Sequence, residues 1–106
     1  MTIANMNIAG TTFNNRQGYI CYIAKNADKA YVSVRRDKNN KFDTNAIKVI
    51  GHVNGGKHVE LGFIPKELAA KIAPVMDSGK RAWVNGFQVV CGGKNRTYGM
   101  VIDIKY

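Results

Sequence analysis

Val34-Arg35-Arg36-Asp37-Lys38-Asn39-Asn40-Lys41-Phe42-Asp43-Thr44-Asn45-Ala46-Ile47-Lys48-Val49 is the stretch whose reading decides the fold. Its two ends alternate with a period of two, and its middle does not. Upstream, residues 30–36 put Val32 and Val34 on one face and Tyr31, Ser33 and Arg35 on the other, which predicts a half-buried strand. Downstream, residues 45–53 turn Ile47 and Val49 inward and Lys48 outward, predicting a second strand. Between them, residues 38–43 are rich in Asn, Lys and Asp, the composition of a turn. The segment therefore reads as strand, polar loop, strand.

The same reading extends in both directions. Asn54-Gly55-Gly56 signals a tight hairpin loop, and residues 58–64 form the return strand. Residues 66–77 predict a helix, because Leu68, Ile72, Val75 and Met76 fall on one stripe. Pro65 suits its start, Gly79 suits a cap after its end, and Pro74 should kink or shorten its last turn. Residues 82–91 predict a strand bulged at Gly86. A second hairpin loop follows at residues 92–95, and Met100, Ile102 and Ile104 alternate in a last strand. Towards the N-terminus, residues 5–13 read as a weak strand and residues 14–24 as a weak helix through Ile20, Ile23 and Ala24. The inventory is mainly β with two short helices. It predicts one domain over residues 1–106, an OB-like, strongly bent antiparallel barrel.

Charge narrows the partner. Sixteen Lys and Arg against seven Asp and Glu leave a net charge of +9 on 106 residues. Such an excess favours polyanions, with nucleic acid foremost. Cys21 and Cys91 are far apart and form no CxxC pair, so they are expected as buried, reduced small hydrophobes. The longest apolar run is far short of a membrane span, and Met1 to Gly10 lack a signal-peptide pattern. A soluble cytoplasmic protein, nucleoid-associated if bacterial, is expected, with no membrane partner.

Four segments resemble the HIRAN domain family, found at the N-terminus of certain helicase-like fork-remodelling ATPases and as stand-alone bacterial and phage proteins. The first is Gly10-Thr11-Thr12-Phe13-Asn14-Asn15-Arg16-Gln17. The second is the opening stretch, similar to a signature in which R-D is followed by Asn, an aromatic, Asp, and then N-A-I-x-V. The third is Leu61-Gly62-Phe63-Ile64-Pro65-Lys66-Glu67-Leu68-Ala69, and the tail at residues 99–104 is a fourth, weaker match. Lys38 and Lys41 stand where prolines are usual, and Phe42 where tyrosine is. The resemblance implies an OB-like barrel. In fork-remodelling members it also implies a pocket that caps the 3′ end of single-stranded DNA. The chain carries no ATPase motor motif.

Phe42 and Asp43 are the leading site candidates. An end pocket needs a flat surface for the last base and an acceptor for its hydroxyl. Asp43 has a second reading, since Asp in such loops bonds nearby backbone N–H groups and shapes the turn. Asn45 leans towards the same turn role. Phe13 and Phe63 are further stacking candidates, each equally readable as core. Arg16 and Arg36 offer planar forks that suit phosphate, and Lys66 adds attraction. The sharpest expectation is that Phe42, Asp43, Phe13 and Arg16 face one pocket open to solvent.

Other motifs carry less. His52 and His58 lack the cysteine pair that a zinc site of this spacing would need. Gly55-Gly56 and Gly92-Gly93 lie between strand signals, not at a strand-to-helix turn that cradles phosphate. Trp83 reads as half-buried packing, and Tyr98 beside Arg96 is an outside stacking candidate. The seven acids are scattered, with no clustered set for a metal-dependent nuclease. The expected function is thus a non-catalytic module, without cofactor or metal, that captures single-stranded DNA ends or junctions in DNA repair, replication or phage biology. The rival reading is a protein-interaction or regulatory domain using its basic face.

Overall fold

Period-two alternation on either side of the polar loop becomes a β-hairpin with seven residues in each arm. The structure is a computed structural model and describes residues 1–92 and 97–106. In chain order they form β1 (Thr2–Asn7), α1 (Arg16–Lys25), a 3-10 turn (Ala27–Lys29), β2 (Ala30–Arg36), β3 (Ile47–Val53), β4 (His58–Phe63), α2 (Lys66–Asp77), β5 (Trp83–Gly92) and β6 (Thr97–Lys105). The hairpin loop expected past Gly92, and Arg96, lie outside the described residues.

Two three-stranded antiparallel sheets result, ordered β1-β6-β5 and β2-β3-β4. They meet where Ala9 pairs with Phe63, through N–H···O bonds of 2.7 and 2.9 Å. Beside this, the Ile8 N–H donates to the Met100 carbonyl at 3.0 Å, and β2 runs next to β5. This is the mainly β, two-helix, OB-like arrangement that the sequence predicts.

The core lies where both sheets and α1 meet. Ile47 and Val49 of β3, Leu61 of β4, and Met100, Ile102 and Ile104 of β6 are fully buried, as are Ile20 and Ile23 of α1. Each such side chain contributes about 1.5–3 kcal/mol by leaving water. The first helix lacks a side-chain cap at Asn15. It is held instead by Ile20 and Ile23, through packing against β3, β4 and β6. Packing of an apolar face, not propensity, supplies most helix stability in proteins.

Four expectations are corrected. The first strand starts earlier and stops at Asn7, because Gly10 turns the chain with φ +72° and residues 11–15 form turns. Of the two effects expected of Pro74, a kink or a shortened last turn, shortening does not occur: α2 passes through it and runs to Asp77, the bound that the apolar stripe predicts. Cys91 is exposed near the end of β5. Cys21 is only partly covered, beside the Ile20 and Ile23 stripe that takes the core contact. The bulge in β5 is where Gly86 indicates it, with the register shifting between Val84 and Gly86.

Candidate nucleic-acid interface

The loop at residues 37–46 is built by its own side chains. Asn40 Oδ1 accepts the N–H groups of Phe42 and Asp43, at 2.9 and 3.0 Å, and Asn40 Nδ2 donates to Asp37 Oδ2 at 3.1 Å. Asp43 Oδ1 accepts the Asn45 N–H at 2.9 Å, and the Asp43 carbonyl accepts from Ala46. Side chains of Asn and Asp that capture nearby N–H groups replace a missing strand partner and hold a turn. With its backbone tied to Asn40, Phe42 projects its ring outward and is 95% exposed. Asp43 Oδ2 makes no hydrogen bond among the described residues.

Arg36 anchors this loop to α2. Its Nη1 donates to the Ala46 carbonyl at 2.7 Å and its Nη2 to the Thr44 carbonyl at 2.9 Å. The remaining edge grips the Asp77 carboxylate, Nε to Oδ1 at 2.9 Å and Nη2 to Oδ2 at 3.2 Å. The Arg36 hydrogen bond is the largest effect on the Asp77 carboxyl and, with the charges of Arg36 and Lys38, holds it below its ordinary value against the opposing effect of burial. A fork so fully engaged is a clamp rather than a free phosphate binder.

Arg16 is also engaged. It is 5% exposed, its Nη1 donates to the Gly10 carbonyl at 2.8 Å, and its guanidinium carbon lies 5.0 Å from the centre of the Phe63 ring. Nη2 approaches Glu60 at 4.0 Å, and Nε is buried without a partner among the described residues. Gly62 permits the neighbouring close approach, since a Cβ there would run into the Ala9 carbonyl oxygen.

These elements enclose an open hollow of about 400 Å³, walled by Asn40, Phe42, Asp43, Phe63 and Lys66, with Ala9 at its edge. Four of the expected site residues, Phe42, Asp43, Phe63 and Lys66, thus share one space. The expected partnership of Phe42 and Asp43 with Phe13 and Arg16 does not form. Arg16 is drawn under cover by the Gly10 carbonyl and packs on Phe63 instead. Phe13 sits in the turn before α1, 65% exposed, outside the walls of the hollow. Arg36 and Asn45 belong to the loop's framework. Sequence reasoning missed Asn40, although an Asn two and three residues ahead of Phe42 and Asp43 is a legible turn signal.

His52 and His58 lie on the other side of β3 and β4 from the core. Burial and the neighbouring His58 hold the His52 imidazole below its ordinary value. Among the described residues no group of three or more His, Cys, Asp or Glu is placed to hold a metal ion. No helix there is long and apolar enough to cross a membrane.

The fold and the hollow define a small β-rich module with an exposed aromatic beside a carboxylate and a lysine. The family model for the HIRAN domain matches residues 4–102, and the chain belongs to that family. HIRAN domains are, as a class, DNA-binding modules and not catalysts by themselves. Helicase-like transcription factor from rabbit (Oryctolagus cuniculus) and from human are each 40% identical over 75 residues, and that from mouse 44%. The match covers 71% of this chain and 7% of each of these relatives, so the chain spans a small fraction of their length. A crystal structure of a protein from Lactobacillus plantarum is similar in fold, with a TM-score of 0.67 at 19% identity over 98% of this chain and 92% of that one.

Proposed function

We propose that this domain binds single-stranded DNA and holds the 3′ terminal nucleotide in the hollow beneath Phe42. The observation that carries the reading is a phenylalanine ring 95% exposed beside a carboxylate oxygen without a hydrogen bond among the described residues. Phe42 does not stand alone but shares the hollow with Ala9, Ala46, Phe63 and Ile64, and a contiguous apolar lining of this kind, rather than a single exposed ring, suits a partner. A base stacked on Phe42 covers that ring, and stacking is worth about 1–3 kcal/mol per base. Asp43 Oδ1 is spent on Asn45, so Oδ2 is the acceptor for a terminal hydroxyl. Lys66 opens α2, where its charge and the helix N-terminus both favour a phosphate.

The other candidates take supporting roles. Arg16 braces the Phe63 ring that forms the opposite wall, and Arg36 ties the loop to α2. Phe13 stands ready as a flanking stacking surface. Such a module would serve DNA repair, replication or phage biology by marking strand ends. Fluorescence anisotropy with matched oligonucleotides tests this. Phe42→Ala should weaken binding roughly ten- to hundred-fold. Unchanged binding by a folded Phe42→Ala variant would remove the hollow from the account.

A further inference from the structure

The solvent face of the β2-β3-β4 sheet carries a set of side chains that neither the core nor the hollow uses. Its cross-strand rungs follow from the register. Arg35 lies opposite Lys48, and Lys48 opposite Phe63. Two steps along, Tyr31 lies opposite His52, and His52 opposite His58. Because Lys48 pairs with Phe63, the face begins at the wall of the hollow. From Lys48 to His52 it extends about 14 Å, the length of about four stacked nucleotides.

We propose that this face is a second contact surface for the single strand, taking the nucleotides that precede the captured end. The proposal rests on the reading of the hollow as the end pocket. Two observations carry it besides that continuity. First, a cleft of about 620 Å³ lies on this side of the molecule, walled by Arg35, Lys38, Lys48 and His58 among others. The Arg35 side chain is exposed and makes no hydrogen bond or ion pair among the described residues. Four cations, Arg35, Arg36, Lys38 and Lys48, line the cleft against two acids, Glu60, which is paired with Lys48 at 2.8 Å, and Asp37, which keeps its charge while accepting a hydrogen bond from Asn40 at 3.1 Å. The remaining charge is positive and faces outward, as a phosphate backbone requires.

Second, the far rung is a prebuilt stacking platform. The Tyr31 and His52 rings lie 4.5 Å apart and 6° from parallel. His52 Nε2 is 2.7 Å from Ser33 Oγ, which sets the orientation of the imidazole. Tyr31 is 54% exposed, so one side of its ring is covered by His52 and the rest meets solvent. A base that stacks there meets a ring already ordered, which lowers the entropy cost of binding. Alternating cations and aromatics along a strand path is how sequence-tolerant single-strand binding is built.

A cross-strand aromatic pair also stabilises a sheet by itself, so the test reads dependence on ligand length rather than stability. Dissociation constants are measured for a free-ended dinucleotide and for a free-ended oligonucleotide of about eight residues. The parent should bind the longer strand at least about ten-fold more tightly, the gain expected from one stacked base. Tyr31→Ala combined with Arg35→Ala should lose that gain and leave dinucleotide binding unchanged. Arg35→Ala alone, at an exposed position, should lose part of it. A parent that binds both lengths equally, or a folded double variant that keeps the gain, would overturn the proposal. So would capture of a poly-glutamate peptide without any gain from strand length, which would assign the face to an acidic protein. Failure of the end-pocket reading looks different: Phe42→Ala then binds the dinucleotide like the parent, whatever the face variants do.

Discussion

Arg36 and Asp77 are joined by two hydrogen bonds, and the same guanidinium holds the carbonyls of Thr44 and Ala46. One side chain therefore connects the last residue of α2 to the loop that displays Phe42. Arg36→Ala should cost about 1–2 kcal/mol of stability through lost charge-assisted bonds. It should also weaken single-strand binding by loosening the loop. Arg36→Lys should not restore either property, because a lysine cannot make four bonds in one plane. Urea unfolding and anisotropy on the same samples check both parts.

The pairing also sets a pH dependence. The Asp77 carboxyl titrates below its ordinary value of 3.8 in the folded state. Between the two values the unfolded chain binds more protons, so acid favours unfolding. The contribution is fully present above the ordinary value and is lost as pH falls through the lowered one. Asp77→Asn should flatten this part of the acid limb of a plot of unfolding midpoint against pH. An identical acid limb in parent and variant would remove Asp77 from the explanation.

Arg16 acts through Phe63 in this account and not on phosphate. Arg16→Ala should lower stability by about 2 kcal/mol, since it strips buried packing as well as charge. It should weaken binding while leaving the log–log salt slope unchanged. Lys66→Ala should reduce that slope by about 0.7, the value for one phosphate on a single strand. A salt titration of the two variants decides between the roles. A shallower slope in Arg16→Ala would return this residue to the phosphate contacts.

Gly62→Ala tests the junction between the sheets. The added methyl group meets the Ala9 carbonyl, whose partner N–H is on Phe63. Overpacking of this kind costs about 1–3 kcal/mol. The urea midpoint should fall, and the amide signals of Ala9 and Phe63 should shift most in a heteronuclear NMR spectrum.

Period-two patterning made most of the fold legible. Strands β2 to β4 and helix α2 all lie where alternation and the Leu68, Ile72 stripe predict them. The first strand was blurred because Asn5 takes φ +53° within a break in the register against β6, which spoils its alternation. In the site, the loop's exposed ring and its carboxylate were readable from residue type and position. The places of Arg16 and Arg36 were not. A guanidinium suits phosphate and backbone carbonyls equally, and only the fold decides which one it meets. Gly10 and Asp77, six and 41 residues away, made that decision.

End recognition is tested most directly by comparing single strands with a free 3′ hydroxyl and with a 3′ phosphate, in the parent and in Asp43→Asn. The asparagine keeps an oxygen for the Asn45 N–H and removes the charge that a terminal hydroxyl would seek. The account predicts that the parent binds the free end about ten-fold or more tightly than the blocked end, the effect of one hydrogen bond to a charged acceptor. It predicts that a folded Asp43→Asn variant loses most of that preference. Equal binding of free and blocked ends by the parent would contradict the claim that this hollow captures a 3′ end.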